Sequence, residues 1–277
     1  MSNGFSLNIG LNTIDTTKYK GKYHPLRNAE NDAEYYYQIA SKNNFSCKKL
    51  IGKDATSINL LDNLKLLAEK MAEGDLLFIS YSGHGTRVKD LNNDEDDGYD
   101  EVLVLYDRLF IDDEFQLCWN RFNEGSRIIF INDSCYNGTI TRFFETHRKA
   151  TEVLWADHIL RGIDTSESDV DFENNLAYFK SIKLGTDTAS ATKANCSIIH
   201  IGSCQDNQLS DDGAATDKNG KFTLAVRKVY NDGNFNGSYK SFFEIVKQEM
   251  PPWQTPNWDT GAGKIDEEFI KSPFLKI

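Results

Sequence analysis

The sequence has no apolar run approaching the roughly 18 residues that a membrane-spanning helix needs, and Met1-Ser2-Asn3-Gly4-Phe5 carries neither the basic segment nor the apolar block of a secretory leader. It has no CxxC pair, and its five cysteines (Cys47, Cys118, Cys135, Cys196, Cys204) are an odd number. Neither a disulfide framework nor a zinc site is therefore expected, and a reducing compartment is. Excess positive charge is missing too: 31 Lys and Arg against 42 Asp and Glu leave −11. That balance argues against nucleic acid as a partner and mildly favours cationic ones. No internal repeat and no second core can be read. The expectation is one soluble, cytoplasmic domain over 1–277, without membrane contact and able to bury a large core without disulfides or metals.

What is present is an alternation of strand and helix. Phe5 to Leu11 is a strand candidate, and a polar loop with Tyr19, Gly21 and Pro25 follows it. Leu26, Ala29, Ala33, Tyr36 and Ile39 then recur at helical spacing, with Asn31 and Asp32 in the same helix. A second strand near Cys47 to Ile51 leads to a helix that Ser57 is placed to cap, with a stripe of Leu60, Leu61, Leu64, Leu67 and Met71. Gly74 ends that helix. A hairpin through Val102 to Ile111 and a short helix opening on Asp112-Asp113-Glu114 come later, as do a buried strand at Cys196 to Cys204 and helices at Phe222 to Tyr230 and Tyr239 to Met250. The tail reads as loop with an edge strand. The pattern predicts an α/β fold, a mostly parallel sheet with helices on both faces. Residues 141–193 show no clear period and read as an insertion or linker between 1–140 and 194–277.

Two apolar runs stand out. Leu76 to Tyr81 hands over to Ser82-Gly83-His84-Gly85, and Ile128 to Ile131 hands over to Asn132-Asp133-Ser134-Cys135. Each is typical of a strand buried on both faces, and each turns polar where a parallel strand should end. Open α/β sheets place their sites at that edge. His84 and Cys135 are 51 positions apart, close to the spacing of about 50 between the His and the Cys of caspases. Cys135 suits a thiolate nucleophile, and His84 suits the group that takes up and returns a proton. His24, His147, His158 and His200 have no such context and read as surface or packing residues.

Tyr81-Ser82-Gly83-His84-Gly85 and Asp133-Ser134-Cys135 resemble the two signatures of the caspase-like cysteine peptidases, and within them the metacaspases and their bacterial relatives, the orthocaspases. Asn31-Asp32, the acidic loop 90–101, Asp112-Asp113-Glu114, Ser203-Cys204-Gln205-Asp206-Asn207-Gln208 and Gln254-Thr255-Pro256 extend the likeness over most of the chain. The resemblance implies the caspase-hemoglobinase fold and a Cys135/His84 dyad, with no aspartate needed to complete a triad. It also implies an oxyanion hole from the backbone N–H groups of Gly85 and Cys135. Metacaspase-like enzymes usually act as monomers. In place of the His-Ser-Gly that commonly follows their nucleophile, this chain has Tyr136-Asn137-Gly138.

Animal caspases line their primary pocket with arginines, whereas the metacaspase pattern lines it with acids. Asp32, Ser82 and Asp133 fall at those positions, which implies cleavage of protein or peptide substrates after Arg or Lys. The plainer reading leaves Asp32 as a cap or solvent-facing acid and Asp133 as a loop-orienting one. No cofactor is expected to be required, but calcium is a candidate, because three acids that hold it in some metacaspases correspond to Asp100, Asp112 and Asp113. The fourth position is Arg142 here. An EF-hand is excluded, since Glu95 stands where the loop counted from Asp90 needs glycine. The alternative is a solvated loop with Asp112 and Asp113 against a helix N-terminus. Arg142, Arg148, Lys149, Arg161, Lys180, Lys183 and Lys193 offer basic sites for self-cleavage within 141–193. Two rival functions remain: a catalytically silent caspase-like binding module, and a different thiol hydrolase on a flavodoxin-like sheet.

Overall fold

In the computed structural model the β-branched and aromatic runs pair into a six-stranded sheet. Its strands, in chain order, are β1 (Gly4–Gly10), β2 (Ser46–Ile51), β3 (Leu76–Ser82), β7 (Arg127–Asp133), β8 (Ser197–Gly202) and β9 (Asn257–Asp259). The spatial order is β2-β1-β3-β7-β8-β9, parallel throughout except for the antiparallel edge strand β9. A second sheet of β4 (Gly85–Lys89), β5 (Tyr99–Val104) and β6 (Leu109–Ile111) is antiparallel. The structure describes residues 2–91, 98–135, 158–186, 194–205 and 208–277, with no side chains described for 183–186. Outside that range lie Tyr136-Asn137-Gly138, Arg142, Arg148, Lys149, Lys193, Asp206, Asn207 and the acidic run at 92–97.

Alternation along the central strands sends side chains to two cores. Leu77, Ile79, Ile128 and Phe130 meet Leu60 and Leu64 of α2 (Ser57–Lys70) and Phe115 and Trp119 of α3 (Asp112–Trp119). Phe78, Ile129, Ile131 and Ile199 meet Tyr36 of α1 (Ala29–Lys42), Phe222 and Val226 of α6 (Lys221–Tyr230) and Phe242 of α7 (Tyr239–Glu249). Both faces of β3 and β7 are thus covered, which is why their runs are apolar throughout. A last short helix, α8 (Glu267–Lys271), adds Phe269 to the second core. Among the described residues no helix is long and apolar enough to cross a membrane.

Three details differ from the sequence reading. Thr56, not Ser57, caps α2, its side chain accepting from the Asn59 N–H; the Ser57 hydroxyl instead donates to Asp107 Oδ2 at 2.7 Å. The chain leaving β3 forms β4 at once, so the predicted hairpin is the second half of a three-stranded sheet. Two helices, α4 (Thr165–Asn174) and α5 (Leu176–Thr186), occupy part of the stretch read as linker, and Phe172 and Phe179 pack with Val88, Val102 and Val104 of the small sheet.

Candidate active site

β3 and β7 are neighbours, and their register pairs Ser82 with Asp133. His84 and Cys135 each lie two residues beyond that pair, so two parallel strands deliver them to the same edge. A Cβ on Gly85 would collide with the Cys135 carbonyl, so glycine is what allows the His84 loop to close against the cysteine. Cys135 is wholly buried; its Sγ accepts from the Ser210 N–H at 2.6 Å and lies 3.5 Å from the Ser210 carbonyl. Behind it, the hydrogen bond with Cys135 and then burial push the Cys204 thiol well above its ordinary range.

The His84 ring is held by His24. Its Nε2 is 2.6 Å from the carbonyl oxygen of His24, which fixes Nε2 as the protonated nitrogen, and the His24 ring packs edge-on at 4.6 Å between centroids. Nδ1 is left with no hydrogen-bond partner among the described residues. Burial, reinforced by His24, pushes the imidazole down to about 3, so the ring is neutral.

A six-residue piece of the chain, 158–163, lies across this edge as an added strand. The Arg161 N–H donates to the Ser210 carbonyl (2.9 Å), the Asp212 N–H to the Ile159 carbonyl (2.8 Å), and the Ile163 N–H to the Gly85 carbonyl (3.2 Å). The His24 side chain meets the Leu160 carbonyl at 2.9 Å. The Gly85 N–H donates to the Arg161 carbonyl at 2.9 Å.

The Arg161 side chain is fully buried, and all three nitrogens of its fork are engaged. Nη2 meets Asp32 Oδ2 at 2.5 Å and Asp212 Oδ1 at 2.8 Å, Nη1 meets the Asp133 carbonyl and Oδ2 at 2.9 Å each, and Nε donates to Asp212 Oδ1 at 3.1 Å. Three carboxylates thus face one guanidinium. The acids are held in turn: Asp32 by Asn219 and the Gly220 N–H, Asp133 by Ser210 and Thr223, and Asp212 by the Arg27 and Asn28 N–H groups at the start of α1. Burial and the neighbouring Asp133 push Asp32 up to about 7 in spite of Arg161. A Cβ at Gly220 would stand 2.5 Å from Arg161 Nη2, so this glycine leaves room for the fork.

Of the three predicted pocket residues, Asp32 and Asp133 converge on Arg161. The Ser82 hydroxyl is buried and has no hydrogen-bond partner among the described residues. Asp212, Asn219, Gly220 and the His24 carbonyl were not anticipated. The one available signal was Asp32 itself, an acid on the buried stripe of α1 between Ala29 and Ala33. Among the predicted self-cleavage sites, Arg161 lies against Gly85 and Lys180 is an exposed residue of α5. Asp100, Asp112 and Asp113 come together, one carboxylate oxygen of each lying within 4.8 Å of the others. That separation is about twice a calcium–oxygen bond of roughly 2.4 Å, and an all-carboxylate set suits a hard cation.

The sequence matches the caspase-domain family over residues 13–264. It is 34% identical to metacaspase-4 of Arabidopsis thaliana over 268 residues, 93% of this chain and 58% of that protein. With metacaspase-1 of Schizosaccharomyces pombe it shares 25% over 222 residues, 69% of this chain and 49% of that one. A crystal structure of a Geobacter sulfurreducens protein superposes with a TM-score of 0.86 at 34% identity, covering 99% of both chains. The chain spans about half the length of the curated relatives it matches. With its mostly parallel sheet flanked by helices and the caspase domain running over nearly its whole length, this chain belongs to the caspase-like cysteine peptidase family C14, close to the metacaspases.

Proposed function

We propose that the chain is a cysteine endopeptidase that cleaves after arginine, and less readily after lysine, and that its first substrate is its own Arg161–Gly162 bond. One observation carries this reading: Arg161 is buried among Asp32, Asp133 and Asp212 while its carbonyl sits on the Gly85 N–H beside Cys135.

His84 Nδ1, held unprotonated because Nε2–H is given to the His24 carbonyl, accepts the Cys135 proton. The thiolate attacks the Arg161 carbonyl carbon, and the developing oxyanion stays on the Gly85 N–H, joined by the amide of Cys135. The imidazolium returns its proton to the departing amine of Gly162, leaving an acyl-enzyme on Cys135. Water, deprotonated by the same ring, releases the new carboxylate. Burial disfavours the charged imidazole, so uptake of the thiol proton relies on the His24 carbonyl, whose bond to Nε2–H supports the imidazolium.

Arginine is favoured over lysine because the pocket uses Nε and both Nη groups, with four hydrogen bonds and a further ion-pair contact, where a single ammonium has three donors. Charge-assisted bonds contribute about 1.5–3 kcal/mol each, so losing even one gives an arginine preference of roughly tenfold or more. The acting unit is a single chain. Calcium is proposed as a regulatory ligand of Asp100, Asp112 and Asp113, where it would supply charge neutralisation beside the small sheet.

The reading is tested by matched fluorogenic peptides ending in Arg, Lys or Asp, with Cys135→Ala as the control. Turnover is expected for Arg above Lys, none for Asp and none with the control. Faster release after Asp would overturn the acidic pocket, and a fully intact, alkylatable Cys135 without any turnover would favour a silent module.

A further inference from the structure

The docked strand engages a second acid, three residues upstream of Arg161. His158 Nδ1 is 2.7 Å from Asp211 Oδ2, and the Asp211 side chain is fully buried while that of His158 is 17% exposed. Asp211 is not a passing surface contact. Its Oδ1 accepts the Gly213 N–H at 2.8 Å, and its own N–H donates to Oε1 of the buried Gln254 at 3.2 Å, which fix the direction of the carboxylate. Leu160 forms an antiparallel bridge with Asp211, so the His158 pairing belongs to the same strand addition that presents Arg161. The acid beside it in sequence, Asp212, is directed to the arginine instead. Among the described residues, the nearby Lys221 is paired with Asp217, its Nζ lying 2.7 Å from Oδ2 of that acid. When 158–161 leaves the cleft, Asp211 Oδ2 loses the side chain that satisfies it, and a buried carboxylate oxygen demands a replacement donor.

We infer that Asp211 forms a second acidic subsite that selects substrates with an imidazole or cationic side chain three residues before the scissile arginine, in the pattern basic-x-apolar-Arg. This rests on the peptidase reading above and adds to it the substrate class: the apolar position is set by Leu160, which packs with Leu209 and Cys135. A polybasic stretch with an apolar residue next to the arginine fits both acids at once, and an acidic residue at the upstream position meets repulsion from Asp211.

The experiment uses the self-cleaved enzyme and four reporter peptides, X-Ile-Leu-Arg with X as His, Lys, Ala or Glu. kcat/KM is expected to be about tenfold higher for His and Lys than for Ala, with Glu lowest. In Asp211→Ala the His-to-Ala ratio should fall to about one. Asp211→Asn, which retains an acceptor for the Gly213 N–H, should give the same loss of discrimination if Asp211→Ala does not fold. A flat or reversed series with cleavage that still depends on Cys135 overturns the subsite alone. No cleavage of any of the four, with Cys135 intact, overturns the peptidase reading and the subsite with it.

Discussion

Removing the Arg161 side chain is the perturbation with the largest calculable local effect. In the Cys135→Ala background, which keeps the chain uncut, Arg161→Ala leaves Asp32, Asp133 and Asp212 buried with no cation among them. Breaking a buried ion pair by deleting one partner costs about 3–5 kcal/mol. The pocket need not unfold the protein to escape that cost, because undocking of 158–163 admits water to all three carboxylates. The penalty is therefore expected as local opening. It is read by amide hydrogen exchange at Gly85, Ile163 and Asp212, whose N–H groups bond to or across the docked strand. Protection at these amides should fall by between roughly a hundredfold and several thousandfold, or to the limit set by the parent's own opening. Central-strand amides such as Ile79 and Phe130 should hold their protection. Arg161→Lys, which keeps the charge but loses the fork, should lie between the two. Unchanged protection at Gly85 and Asp212 in the alanine variant would refute the claim that the guanidinium holds the strand in place.

Three further outcomes follow from the same geometry. Gly220→Ala puts a methyl against the guanidinium position, so kcat/KM for an Arg peptide should drop about tenfold to a hundredfold at an overpacking cost of about 1–3 kcal/mol, while a Lys peptide suffers less; equal losses for both would contradict the assigned contact. The depressed His84 contributes stability that is present above its ordinary pKa of about 6.5 and is lost as pH falls toward 3. In denaturant titrations of the uncut chain, His84→Gln should accordingly lose about 3 kcal/mol less than its parent between pH 7 and pH 4. Asp32, pushed up to about 7, has the opposite sign: its contribution is full below the ordinary carboxylate range and is lost as pH rises through 7, so the test compares variant with parent rather than reading either curve alone. Calorimetric calcium titration of the Cys135→Ala chain should show one binding event that Asp112→Asn with Asp113→Asn removes; no heat in the parent would end the calcium proposal.

The central strands were legible because burial on both faces makes their composition unambiguous, and the stripe of α1 was legible from Ala29, Ala33, Tyr36 and Ile39. Helix α4 was not, for a physical reason. Its inward side carries Ser168 and Asp171 beside Phe172, and Asp171 is satisfied by the Lys20 N–H and the Tyr23 hydroxyl of a distant loop, so polar residues are buried without leaving an apolar period. Asp212 was hidden in Ser210-Asp211-Asp212-Gly213, which reads as an ordinary polar turn. The His24 carbonyl has no side-chain signature at all. Arg161 was visible as one of several basic residues, but its selection depends on convergence of positions 32, 133 and 212, which spacing along the chain does not encode.

The position at which the chain first cuts itself tests the acidic pocket most directly. Incubating the purified, catalytically intact chain and sequencing the new N-terminus should give Gly162 as its first residue, with Cys135→Ala remaining one band under the same conditions. A first cut after a non-basic residue, or fragmentation of the Cys135→Ala chain at an equal rate, would contradict it.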